Sequence, residues 1–152
     1  MAEEKEFYEK AAMTKDELAN YLSAVRIARI STVNKGKPHI APVWYIYDGT
    51  HFYVSTGAKT RKARNIKKNP NVSLIIDSTD GMFKHKCVMV EGRADLSRKD
   101  HPEVTKKIYA RYLGGDQGLK HPFAQELMKG DQYVVKITPT KILTWDYTKV
   151  IK

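Results

Sequence analysis

From Ile27 onward, apolar and polar residues alternate over several short segments, and turn sequences separate one segment from the next. Alternation with a period of two places every second side chain on one face of a β-strand, so each segment can bury a single face. The predicted strands are residues 27–33, 39–47, 51–56, 72–77, 84–94 and 133–145. Six antiparallel strands with few helices favour a sheet that closes on itself as a small barrel.

Turn signals and prolines indicate how these strands connect. Residues 34–37 and the Asp48-Gly49 pair are typical of hairpin turns. Pro42 and Pro139 interrupt two of the segments. Because proline cannot donate to the sheet ladder, each indicates an edge, a bulge or a bend. The sequence holds no linker or repeat, so we expect a single domain over residues 1–152.

Short helices are expected beside the strands. Thr14 and Glu17 have the spacing of a capping box, and the residues after Thr14 show helical periodicity. The predicted helices cover residues 15–24, 60–69, a segment capped by Asp100, and 122–128, and residues 1–13 are expected to form a loosely attached, partly helical arm. The expected fold class is therefore mainly β, with flanking short helices.

Composition limits the environment and the partners of the chain. With Cys87 as the single cysteine, no internal disulfide is possible, and no apolar run approaches the roughly 20 residues that span a bilayer. Residues 1–10 are charged and lack the apolar core of a signal peptide. We therefore expect a cytoplasmic protein with no membrane partner. The formal net charge of +10 indicates an anionic ligand or partner.

Residues 55–66 are the most informative window, because cations lie at the positive end of a predicted helix. If Thr60 is the N-cap, Arg61 and Lys62 lie at the positive end of the helix dipole, where cations are unfavourable. Exposed amides, a hydroxyl and two cations together predict a phosphate site. A solvated basic helix face is the alternative interpretation. Nucleic acid is not expected, because no stacking aromatic residues accompany the basic ones.

Several stretches resemble the pyridoxamine 5′-phosphate oxidase-like superfamily of FMN-binding split barrels. The stretches are Pro42-Val43-Trp44-Tyr45, Asp48-Gly49, Phe52-Tyr53-Val54-Ser55-Thr56, Thr60-Arg61-Lys62-Ala63-Arg64-Asn65-Ile66 and Asn69-Pro70-Asn71-Val72-Ser73-Leu74. The resemblance covers about residues 14–95 and implies a six-stranded antiparallel split β-barrel. It also implies a homodimer in which two barrels share two cofactor sites.

The resemblance assigns a role to residues on both sides of the predicted phosphate site. In that family a Ser/Thr-Arg-Lys sequence at a helix start holds the cofactor phosphate, which matches Thr60, Arg61 and Lys62. A hydroxyl residue at the end of the preceding strand contacts the phosphate or the ribityl chain, which matches Thr56 together with Ser55.

Further residues are implied as contacts of the isoalloxazine ring. Val43, Trp44 and Tyr45 occupy the strand that lines the ring in the family. Lys86 lies where it could donate to a flavin carbonyl, although an outward-facing lysine is the alternative. Trp145 could form part of the cofactor pocket of the partner subunit, or pack on its own barrel.

The resemblance implies a flavin-dependent oxidoreductase that transfers hydride or electrons through bound FMN. The expected partners are a small-molecule substrate and a nicotinamide or other electron donor. The deazaflavin F420 is the alternative cofactor, and non-catalytic flavin binding or storage is the alternative function. No side chain is assigned as a catalytic acid or base, and the scattered histidines predict no metal site. The long C-terminal part of the true oxidases has no counterpart here, so we expect another substrate.

Overall fold

The computed structural model describes residues 1–151, and its centre is one antiparallel sheet of seven strands. The strands are β1 (Ala28–Asn34), β2 (Lys37–Val43), β3 (Tyr45–Tyr47), β4 (Phe52–Gly57), β5 (Asn71–Thr79), β6 (His85–Ser97) and β7 (Gln132–Asp146). They lie in the order β2-β1-β5-β6-β7-β4-β3. The sheet is curled, and the fold is the split barrel that the sequence predicts.

Helices flank this sheet and follow the predicted segments. They are α1 (Ala2–Ala11), α2 (Lys15–Ser23), α3 (Arg61–Lys68), α4 (Glu103–Leu113), α5 (Asp116–Leu119) and α6 (Pro122–Lys129), with a short 3-10 turn at Tyr147–Lys149. The predicted cap at Asp100 is wrong, because α4 begins only at Glu103, directly after Pro102. Its end at Gly114, which has a left-handed φ of 85°, confirms the predicted stop.

A single residue joins the two edges of the sheet. β2 and β3 are the outermost strands on opposite sides, yet only Trp44 separates them in the chain. Residues two apart lie within about 7 Å of each other, so the edges must curl together. The expected count of six strands is wrong for the same reason: the predicted strand 39–47 changes pairing partners, since Val43 pairs with Ala28 whereas Tyr45 pairs with Val54.

The interior of the curled sheet is apolar and helix α2 covers one end of it. Strand residues such as Ile30, Leu74 and Val90 are at most 1% exposed. Leu22 of α2 joins the same cluster, and its carbonyl oxygen accepts a hydrogen bond of 3.1 Å from the Tyr45 hydroxyl. This core holds the strand ends and the start of α3 in fixed positions.

Helices α4, α5 and α6 form an insertion between β6 and β7, and they pack on the outside of the barrel near Trp44. Ile108 and Tyr109 are buried there with Leu119. At the other end of the chain, the predicted arm is largely the helix α1, whose Tyr8 packs edge-on against Trp145. Within residues 1–151, no helix has both the length and the apolar character to cross a membrane.

Candidate functional site

The start of α3 is tied to the end of β4 by hydroxyl groups. The Thr60 hydroxyl caps the helix, accepting from the Ala63 amide at 3.3 Å and donating to the Gly57 carbonyl oxygen at 2.8 Å. The Thr56 hydroxyl lies 3.0 Å from that of Thr60. Since Thr60 has already donated its only proton, Thr56 is the donor between the two. Both threonines therefore organise the helix start.

A cavity of about 450 Å³ opens beside this helix start, a volume within the range of small-molecule sites. Its walls come from the β2–β3 junction, the end of β4, α3, the α4–α6 insertion and the first residue of β7. The lining residues are Ile27, Pro42, Val43, Trp44, Ser55, Thr56, Gly57, Lys62, Ile108, Tyr109, Leu127 and Gln132. The cavity thus combines an apolar wall with a polar end.

Lys62 supplies the one charge in the lining of this cavity. Its side chain is partly buried, and burial lowers the pKa of its ammonium group. No carboxylate lies within ion-pairing distance of Lys62 among residues 1–151, and no acidic residue lines the cavity. A partly desolvated cation without a counter-charge favours an anion in the adjoining space.

The other predicted phosphate residues divide into three groups. Ser55 and Thr56 line the cavity together with Lys62. Thr60 supports the helix start without lining the cavity. Arg61 is exposed and lies outside the lining.

The predicted ring-binding strand reaches the cavity through two of its three residues. Val43 and Trp44 line it, and the Trp44 indole is fixed by stacking on Tyr112, with ring centroids 5.0 Å apart and planes 5° apart. Tyr45 instead turns into the core, where it is fully buried. Burial raises the pKa of Tyr45 to about 12. Any contact of Tyr45 with a ligand would therefore use its backbone.

The α4–α6 insertion contributes lining residues that the sequence did not reveal. Ile108, Tyr109 and Leu127 form part of the apolar wall of the cavity, and Gln132 adds an amide. Helical apolar spacing gives the same signal for a core residue as for a cavity wall, so these residues carry no distinct sequence signature. Tyr109 lies beside Ser55, and burial raises the pKa of its phenol.

Lys86 and Trp145 lie outside this cavity within one chain. The Lys86 ammonium nitrogen is 3.2 Å from a carboxylate oxygen of Asp146. Burial opposes ionisation of Asp146, but hydrogen bonds from Thr148 and Lys86 outweigh it and lower the pKa of the carboxyl. Trp145 packs between Tyr8 and His85. Contact of either residue with a cofactor held by a partner subunit stays a prediction.

Cys87, next to Lys86 in β6, is fully buried. Burial raises the pKa of its thiol to about 12. The thiol is therefore protonated near neutral pH and is not a reactive nucleophile.

Comparison with known sequences decides the family. The family profile described as "Pyridoxamine 5'-phosphate oxidase" matches residues 14–146. The chain belongs to the pyridoxamine 5′-phosphate oxidase family. The match includes all seven strands and leaves out α1 and the residues after Asp146. It extends beyond residues 14–95, where the motifs of the resemblance lie. The predicted superfamily is confirmed.

Several known proteins are similar to this chain. General stress protein 26 of Bacillus subtilis is 30% identical over 99 residues, which are 65% of this chain and 69% of that protein. A conserved hypothetical protein from Mycobacterium tuberculosis has a similar structure, with a TM-score of 0.78, 27% identity, and coverage of 93% of this chain and 89% of that one. A structure described as an F420 reductase has a TM-score of 0.66 and 26% identity, covering 81% and 93%.

Proposed function

We propose that the protein binds FMN in the cavity beside α3 and acts as a flavin-dependent oxidoreductase. The observation that carries the proposal is Lys62, a partly buried cation that lines a cavity without any acidic residue. A phosphate group would balance this charge, and the facing apolar wall suits a flat aromatic ring. Membership of the family supports the same cofactor class.

Each part of the cavity has a role in this proposal. Lys62 would pair with the phosphate, and the first amides of α3, which have no partners within the helix, would add donors. The side chains of Trp44 and Leu127 would pack on the isoalloxazine. A bound flavin supplies the hydride and electron chemistry, while the chain places it and tunes its surroundings. The donor would be a nicotinamide or another reductant, and the acceptor a small molecule.

The helical insertion would limit the access of water. Trp44 is held by Tyr112 on one side and approaches Tyr109 edge-on at 5.5 Å. These rings connect the β2–β3 junction to α4, so the apolar wall is rigid. A rigid, largely apolar wall excludes water from a ring that packs against it.

F420 is the second candidate cofactor. It is supported by the likeness to a structure described as an F420 reductase and by the exposed basic residues around the start of α3. Lys59, Arg61 and Arg64 would suit the polyanionic tail of that cofactor. Non-catalytic flavin binding or storage is the third candidate, with the same cavity and no turnover.

The test is to purify the protein and record the absorbance of the chromophore that it retains or takes up. A flavin absorbs at about 450 nm and a deazaflavin at about 420 nm. Retention of FMN followed by its reduction with NADH or NADPH supports the oxidoreductase. Binding without reduction by any donor supports the storage function. Failure to bind either cofactor overturns the proposal.

We also propose a homodimer, as the family resemblance implies. Ile40 on the edge strand β2 is 65% exposed, and Ile27, just before β1, is 41% exposed. Ile27 also lines the cavity, and exposed apolar surface at a cavity favours coverage by another chain. Sedimentation equilibrium tests this, and a monomer at micromolar concentration with FMN bound would contradict it.

A further inference from the structure

A row of hydrogen-bonded side chains connects the cavity wall to a histidine outside it. The Ser55 hydroxyl lines the cavity and lies 2.9 Å from the hydroxyl of Thr105, a fully buried residue of α4. The Thr105 hydroxyl lies 2.9 Å from Nδ1 of His101, which is partly exposed. Neither Thr105 nor His101 lines the cavity.

The direction of these hydrogen bonds follows from counting protons, beginning at Gln132. Its amide nitrogen donates to the Leu127 carbonyl oxygen at 3.3 Å, which places the amide oxygen toward Ser55. An amide oxygen only accepts, so the Ser55 hydroxyl donates to it, also at 3.3 Å. Ser55 has one proton, so on this count it accepts from Thr105 and from the neighbouring Tyr109 hydroxyl.

The same count fixes the tautomer of the histidine. Thr105 has one proton, which it gives to Ser55, so it accepts from His101. The Nδ1 atom of His101 must then carry a proton. His101 donates to Thr105, Thr105 donates to Ser55, and the Ser55 hydroxyl proton is therefore available at the cavity wall.

The last hydrogen bond is the weakest of the row. The 3.3 Å separation between Ser55 and Gln132 exceeds the usual range for a hydroxyl donor, whereas both bonds of Thr105 are 2.9 Å. A ligand atom can therefore replace the Gln132 oxygen as the acceptor without disturbing His101 and Thr105. It would meet a donor that is already oriented.

We propose that His101 and Thr105 are positioning residues that hold the Ser55 hydroxyl as a hydrogen-bond donor to the cavity, so that the ligand must present a hydrogen-bond acceptor at this point. This inference rests on the proposed function and deepens it. A phosphate oxygen and a ring carbonyl oxygen share this chemistry, and both occur in FMN. A ligand hydroxyl that must donate at this point is disfavoured.

The first test reads the tautomer without any ligand. Nitrogen-15 NMR of the full-length protein, with His101→Gln to assign the signal, should show neutral His101 protonated at Nδ1. Thr105→Val should remove this preference, because the partner of Nδ1 is lost. A His101 ring protonated only at Nε2 in the unmodified protein overturns the inference.

The second test measures affinity for FMN by quenching of flavin fluorescence. Thr105→Val should weaken binding about fivefold, and Thr105→Ser, which keeps the hydroxyl, should bind like the unmodified protein. In a Ser55→Ala background, Thr105→Val should change the affinity by less than about twofold. An equal loss in both backgrounds would show a structural effect and overturn the inference. Thermal melting checks that each variant is folded.

Riboflavin separates the two sources of the acceptor oxygen. If the effect of Thr105→Val is lost with riboflavin, the acceptor is a phosphate oxygen; if it is kept, the acceptor lies on the ring or on the ribityl chain, both of which riboflavin retains. Both results support the positioning role. A protein that binds neither flavin overturns the proposed function itself, whereas an Nε2 proton or missing coupling in a protein that binds FMN overturns only this inference.

Discussion

Two helices of the barrel begin with the same residue type and then carry opposite charges. In α2, Thr14 accepts from the Glu17 amide at 3.2 Å, and the Glu17 carboxylate accepts from the Thr14 amide at 2.8 Å. The first turn of α2 holds Lys15, Asp16 and Glu17 and is net negative, whereas that of α3 holds Arg61 and Lys62 and no acidic residue. Only α2 follows the preference of helix N-termini for negative charge.

The difference separates a helix start that stabilises the fold from one that leaves room for a ligand. The carboxylate of Glu17 completes a capping box, and Lys149 binds its oxygen at 2.8 Å, so the groups at the start of α2 are used within the chain. At the start of α3, Thr60 caps the helix, but Lys62 faces the cavity without a carboxylate. The missing negative charge is what a phosphate would supply.

The largest effect is expected from Lys62→Ala. Loss of a charged hydrogen-bonding group should weaken FMN binding roughly 10- to 100-fold. The stability of the ligand-free protein should change little, because a partly desolvated cation is removed. Fluorescence titration measures the affinity.

Lys68→Ala is the matched control for that variant, since Lys68 is an exposed lysine in the last turn of the same helix. It should bind FMN like the unmodified protein. Equal affinities of the Lys62 and Lys68 variants would show that the two ends of α3 do not differ and would remove the phosphate assignment.

The pH dependence of FMN binding should report the same lysine. Burial lowers the pKa of Lys62 below its ordinary value of 10.5, and phosphate pairs with the protonated form. Affinity should therefore be full at neutral pH and fall as the pH rises through the lowered pKa, by at most about tenfold per pH unit. The ligand-free protein should gain stability over the same window up to 10.5, because the unfolded chain then binds more protons.

Lys62→Arg is the control for this pH profile, since arginine stays protonated. The alkaline decline should disappear or move to higher pH. An unchanged decline in this variant would assign the titration to another group.

The start of α3 was predictable because its signals are local. A threonine cap followed by Arg61 and Lys62 can be interpreted without knowing the tertiary fold, and the turn at residues 34–37 is equally local. The break at Trp44 was not predictable, because it depends on the change of pairing partner from Ala28 to Val54.

The rest of the site depends on contacts between distant segments. Ile108 and Leu127 line the cavity because the α4–α6 insertion folds back onto the β2–β3 junction, which no local pattern encodes. The position of Lys86 in a strand was predicted correctly, but its ion pair with Asp146 comes from pairing between β6 and β7. Local chemistry predicted the charged end of the candidate site, and topology determined its apolar wall.

Removal of the two threonine N-caps tests whether the starts of α2 and α3 have different roles. Thr14→Ala and Thr60→Ala should each lower the free energy of unfolding by about 1 kcal/mol, because each removes the side-chain acceptor at a helix start. Only Thr60→Ala should also weaken FMN binding, since Thr60 holds the helix start that carries Lys62. Urea unfolding and FMN titration measure the two effects. A loss of FMN affinity in both variants would mean that the binding effect follows general stability.

The smallest effect is expected from reversing charges in the first turns. Arg61→Glu should raise the stability of the ligand-free protein by about 0.3–1 kcal/mol and weaken FMN binding. Asp16→Lys in α2 should lower stability by a similar amount and leave FMN binding unchanged. Urea unfolding in low salt checks the signs. A destabilising effect of Arg61→Glu would show that the cations of α3 already have partners within the fold.

Trp44 takes part both in the closure of the barrel and in the wall of the cavity. The residue that joins one sheet edge to the other also forms part of the cavity wall, so any separation of these edges disrupts the cavity. A molecule that packs on Trp44 would therefore stabilise the contact between the two sheet edges. When the ligand concentration is well above the dissociation constant, the stabilisation of the closed barrel grows with the logarithm of that concentration.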